Sequence, residues 1–198
     1  PYISGVRKYL LVLAAVAAVL NTGAEAMRIR PQVYLYKPLA TLLLVAVVLR
    51  AANQSHYRTW IGAGLVAALA GDILLMLPQG LFVPGLVAFL VAHLCFLRAF
   101  ATDGAGVRAS LLSGVAVFSA TIVSLAYLWP SLGSMRAPVV CYAVAIATMS
   151  WQAVARWSVR RTPDAAWAAL GSISFLASDF SLAVNRFVAP FEGASYVV

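Results

Sequence analysis

The chain has 198 residues, 63% of them hydrophobic and only 10% charged, with a formal net charge of +8 and a mean hydropathy of +0.92. A soluble domain is nearer half apolar and a quarter charged, so this composition excludes an ordinary soluble domain and indicates a polytopic membrane protein. The charge does not point to nucleic acid, because the 14 Lys and Arg residues are spread over short loops and do not line one face.

A helix needs about 20 apolar residues to cross a bilayer. Seven such spans are predicted, over residues 6–22, 32–50, 59–77, 80–101, 107–129, 136–157 and 164–187, and an eighth begins near Pro190. The connections are short and carry the punctuation: Gly23, Pro31, Pro78-Gln79-Gly80, Asp103-Gly104, Pro130 and Thr162-Pro163. There is no room for a soluble domain. The expected architecture is one all-α, membrane-embedded helical bundle over residues 1–198. Long continuous runs without ten-residue alternation exclude a β-barrel. The chain opens at Pro1 and closes within an apolar run, consistent with a segment of something longer.

The first span carries Arg7 and Lys8 before it and Ala24-Glu25-Ala26 after it, imitating a secretory signal and its cleavage site. With six further spans behind it, it reads as a signal anchor. Cys95 and Cys141 both lie inside apolar runs without a C-x-x-C pattern, and read as small core residues. Trp60, Trp129, Trp157 and Trp167 fall near span ends, as an interfacial belt does. Trp151 lies deeper and reads as core filling, although an aromatic face could also take a cationic head group.

Orientation follows from the cations. Nine of them (Arg7, Lys8, Arg50, Arg58, Arg98, Arg108, Arg156, Arg160 and Arg161) fall on one side of the predicted spans. Five (Arg28, Arg30, Lys37, Arg136 and Arg186) fall on the other. The N-terminus is then cytoplasmic, and the membrane is the inner one if the source is a bacterium. On this reading the stretch LAGDILLMLP, from Leu69 to Pro78, lies in the outward-running third span. LASDFSLAVNRF, from Leu176 to Phe187, lies in the outward-running seventh. Their aspartates, Asp72 and Asp179, are 107 residues apart, which suggests two parallel four-span repeats.

These aspartates are the acids that need explaining. Glu25, Asp103, Asp164 and Glu192 lie in loops or at span ends, and Asp164, following Pro163, suits a helix N-terminus. An acid at the centre of a span costs about 2.5–3.5 kcal/mol on insertion scales. Counted at 1.5 Å per residue, Asp72, Asp179 and Lys37 all lie roughly 8–12 Å below the outer edge. Asn185 and Arg186 stand nearer that edge, about two turns beyond Asp179. His93 on its apolar helix reads first as a satisfied interior group.

Three readings compete for this layer. The acids could pair with Lys37 and Arg186 only to hold helices together, although buried pairs stabilise less than apolar packing. They could form the path of a proton- or cation-coupled transporter, although the spans show no strong break near the bilayer centre. They could form a catalytic site for a lipid. A metal site of His93 with the two aspartates is a further alternative, weakened because the other histidine, His56, lies in a loop.

At these residues the sequence resembles the lysoplasmalogenase (YhhN-like) family of integral membrane hydrolases. The resemblance rests on Lys37-Pro38-Leu39, Gly71-Asp72-Ile73-Leu74-Leu75-Met76, the series Phe82, Gly85-Leu86, Phe89 and His93, then Ser178-Asp179 with Asn185-Arg186-Phe187. It implies an eight-span enzyme that cleaves the vinyl ether bond of a lysoplasmalogen, giving a fatty aldehyde and a glycerophospho-ethanolamine or -choline. The partners it implies are a lysophospholipid substrate and the bilayer.

Vinyl ether hydrolysis is acid catalysis through an oxocarbenium ion, which asks for one protonated acid and one carboxylate, as glycosidases do. Two aspartates in one low-dielectric site do not easily both ionise. The expectation is therefore that Asp72 and Asp179 are catalytic, with no metal and no cofactor. Lys37, Asn185, Arg186 and His93 would bind or orient the substrate, with the Arg186 guanidinium suited to phosphate oxygens.

Overall fold

The computed structural model describes residues 2–27, 29–51, 55–77, 80–102 and 111–188. Among them are seven long helices: α1 (Tyr2–Ala26), α2 (Arg30–Leu49), α3 (His56–Met76), α4 (Phe82–Ala101), α5 (Leu111–Leu128), α6 (Arg136–Arg160) and α7 (Pro163–Phe187). All seven are long and apolar enough to cross a membrane. The predicted start of an eighth span near Pro190 lies outside the described residues.

The helix ends follow the local sequence. Pro31 and Pro163 sit in the first turns of α2 and α7, where a missing N–H costs nothing. The Ser55 hydroxyl caps α3 by accepting from the Arg58 N–H at 3.2 Å. Between α5 and α6, Pro130 opens a single 3-10 turn, Trp129–Ser131. A second, Gly133–Met135, starts on a glycine at φ +51°. The α6 helix runs one turn beyond its predicted end and stops at Arg161, in the left-handed region at φ 53°.

The chain divides into two compact units, Pro1–Cys95 and Phe96–Val198. In the first, α2 packs between α1 and α3. The α2–α3 pair is tied at both ends. Tyr34 donates its hydroxyl to the Met76 carbonyl at 3.1 Å, and the Arg58 guanidinium donates to the Leu49 and Ala51 carbonyls, supplying donors to the exposed C-terminal end of α2. Helices α3 and α4 touch where the Phe89 ring lies on Gly71, so close that a Cβ there would stand 2.7 Å from ring carbons.

In the second unit, α6 packs against both α5 and α7. It is heavily buried on more than one face, with Ile146 and Met149 beside Ala147, Ser150, Ala155 and Arg156, as a helix packed against two neighbours is. At its middle the Trp151 indole fills the space over Gly114 of α5 and meets Phe118 edge-on at 5.8 Å between ring centroids. The Ser150 hydroxyl donates to the Ser172 carbonyl of α7 at 3.1 Å.

Large apolar side chains cover the outside, among them Leu112, which is 84% exposed. Such a surface is unsustainable in water and ordinary in lipid. Cys141 is a correction of the same origin. It was expected in the core but is exposed on α6, because apolar character does not separate a lipid-facing position from a buried one.

Candidate functional site

In the first unit, α2 and α3 bring Lys37 and Asp72 together. Nζ and Oδ1 are 3.5 Å apart, with the two side chains 15% and 13% exposed. Toward the other end of the same helix pair, a Cβ added at Gly62 of α3 would meet Val48 of α2 at 3.4 Å. Asp72 follows the glycine on which Phe89 rests. One turn further along α4 stands His93, fully buried. The pieces KPL, GD and F-x-x-x-H thus belong to adjoining helices of one unit.

In the second unit, Asp179 of α7 accepts a hydrogen bond at Oδ2 from the Tyr142 hydroxyl of α6. Both line a cavity of about 250 Å³ among α5, α6 and α7. Its walls include Thr121 and Leu125 of α5, Ile146 of α6 and Phe180 of α7. Apart from the carboxyl–phenol pair and the Thr121 and Ser124 hydroxyls, the lining is hydrocarbon. Such a site combines an apolar container with a few placed polar groups, as small-molecule sites do. At the end of the cavity a core of Leu128, Leu132 and Val139 holds Val184 and Phe187, which fixes the last turns of α7. Asn185 is half-buried there and Arg186 is exposed, about 9–10 Å beyond Asp179 along the helix.

Sequence reasoning missed two participants. Tyr142 was not singled out, although a tyrosine in mid-span, away from the aromatic belt, needs a partner for its hydroxyl. That was the available signal. Arg156 was counted as a loop cation. It is instead buried in α6, its side chain 4% exposed, with Nη2 2.9 Å from Asp164 Oδ2. Asp164 itself occupies the first turn of α7, as expected. Among the described residues, no three His, Cys, Asp or Glu side chains gather in a way that could hold a metal ion.

The YhhN family model matches residues 32–198. Over 155 residues the chain is 36% identical to the lysoplasmalogenase of Mycobacterium tuberculosis, covering 73% of this chain and 58% of the relative. It is 32% identical over 138 residues to human lysoplasmalogenase TMEM86A, covering 67% and 55%. It is 29% identical over 149 residues to the uncharacterized membrane protein YhhN of Escherichia coli O157:H7, covering 75% and 71%. The match thus spans somewhat more than half the length of the first two of these relatives. No solved structure matches the chain. Together with the seven apolar helices, these likenesses make the chain an integral membrane protein.

Proposed function

This chain belongs to the YhhN family, and on that premise we propose that it is a membrane-embedded hydrolase that cleaves the vinyl ether bond of a lysoplasmalogen. The observation that carries the reading within the molecule is the Asp179 carboxyl on the wall of a largely apolar cavity. A carboxyl in that setting can meet a reactive group at the head of a hydrocarbon chain.

The chemistry divides between two carboxyl groups. An acid delivers a proton to the alkene carbon that is not bonded to oxygen, and the positive charge develops on the oxygen-bearing carbon. A carboxylate stabilises that oxocarbenium ion. Water adds, and the hemiacetal collapses to aldehyde and glycerol hydroxyl. We assign the two roles to Asp72 and Asp179. Lys37 Nζ stands 3.5 Å from the Asp72 carboxyl and holds it in place. The alkenyl chain lies in the α5–α7 cavity, Arg186 and Asn185 receive the phosphodiester, and His93 orients the groups around Asp72. The N-terminus is cytoplasmic.

Asp72→Asn and Asp179→Asn are each expected to cut aldehyde release from lysoplasmenyl-ethanolamine by about 10²–10⁴-fold, the usual worth of a positioned acid or base. Near-wild-type turnover in either folded variant overturns the assignment. The Lys37–Asp72 ion pair within the spans also suits a proton or cation path. Proton flux in proteoliposomes that Asp72→Asn abolishes, with no aldehyde release by the wild type, would establish that reading instead.

A further inference from the structure

We propose that Tyr142 is a positioning residue for the reaction: its hydroxyl fixes the Asp179 carboxyl in the orientation from which it acts on a vinyl ether held in the α5–α7 cavity. The inference rests on the hydrolase reading above and adds a residue to it. Three observations carry it.

The first is geometric. Tyr142 is buried on α6 and donates to one defined oxygen, Oδ2 of Asp179. A carboxyl on a single helix turns about its χ angles. A donor on a second helix holds its plane, whether the acid carries its proton or has released it. The second is location. Both groups line the same cavity, so the orientation that Tyr142 imposes is an orientation toward the space where a chain would lie.

The third is correspondence between the two units. In the first unit, Asp72 on α3 is paired by Lys37 on α2. In the second, Asp179 on α7 is paired by Tyr142 on α6. The order of elements is the same: the acid sits on the third helix of its unit and its partner on the second. The separations are also close, at 35 and 37 residues. The partner thus comes from the second helix in both units, as an ammonium in one and a phenol in the other, at positions two residues apart in the 107-residue register. The two carboxyl groups are thereby held by a charge in one case and by a neutral donor in the other, the kind of difference that lets two like acids take different roles.

Tyr142→Phe keeps the ring that lines the cavity and removes only the hydroxyl. For aldehyde release from a lysoplasmenyl lipid by the full-length chain in detergent, kcat is expected to fall at least tenfold while KM stays within twofold. Unchanged kcat overturns the proposal. A raised KM with kcat unchanged also overturns it, since Tyr142 would then be only a wall of the cavity. If the phenylalanine variant does not fold, 3-fluorotyrosine at position 142 preserves the size and makes the hydroxyl a stronger donor. A kcat altered more than twofold supports the proposal, and an unaltered kcat overturns it. Wild-type protein that releases no aldehyde defeats the hydrolase reading, and this proposal with it. An active wild type with a fully active Tyr142→Phe defeats this proposal alone.

Discussion

Asp72 and Asp179 sit in the same kind of sequence, three residues after a leucine in an apolar run, yet they meet different partners. Asp72 faces an ammonium at 3.5 Å and Asp179 a phenol. For a partly buried ion pair, removing one member leaves the other charged in a poor solvent, which costs more than the pair itself contributes. Lys37→Met is therefore expected to lower stability by about 2–3 kcal/mol, below the 3–5 kcal/mol of a fully buried pair. Lys37→Met with Asp72→Leu should recover much of that loss without recovering turnover. Thermal unfolding in detergent reads both, and a double variant no more stable than the single one counts against the ion pair as the cause. Arg156 and Asp164 make the corresponding contact at the α6–α7 turn. Its outer member is 63% exposed but Arg156 is only 4% exposed, so Asp164→Asn takes the carboxylate from a buried guanidinium and should cost about 1–2 kcal/mol, between an exposed and a fully buried pair.

At the scale of the helices, contact depends on small residues. Lipid tails are as apolar as leucine, so helices in a bilayer associate by packing where a glycine lets them approach. A Cβ at position 114 would meet the Trp151 indole at 2.6 Å, in an interior where the ring edge also touches Phe118. Gly114→Ala is expected to destabilise the α5–α6 contact by about 1–3 kcal/mol through overpacking. At about 2–4 °C per kcal/mol for a chain of this size, the melting temperature should fall visibly. An unchanged melting temperature would show that the indole simply moves aside. The cavity among α5, α6 and α7 yields a separate test. Ala177 is one of its small lining residues. Ala177→Phe is expected to raise KM for long-chain alkenyl lysolipids more than for short-chain ones. An equal change for both chain lengths would remove the cavity from the role of chain site.

For the molecule as a whole, the distribution of cations predicts a cytoplasmic N-terminus. Arg156 on that side and Lys37 on the other are both largely buried and paired, which leaves eight against four. Because the rule counts cations of the loops, the asymmetry survives their removal. A reporter fused before α1 should be active only on the cytoplasmic side, and periplasmic or luminal activity would invert the topology. In each compact unit the intramembrane acid is contacted by a side chain of the preceding helix, Asp72 by Lys37 and Asp179 by Tyr142.

The span count, the all-helical class and the two unusual acids were legible in the sequence because the bilayer supplies the same rule at every position. A backbone crossing hydrocarbon must satisfy itself by forming a helix, and a charge placed there is costly wherever it falls. Which way each helix is turned was not legible. In a soluble helix the polar face marks the outside, whereas here lipid and core are both apolar and the pattern is silent about rotation. Cys141 could therefore be taken for core and Arg156 for a loop cation, and Tyr142 passed unnoticed. Those assignments were decided by tertiary packing alone, because the partner of a buried polar group depends on which neighbouring helix presents a side chain at its depth.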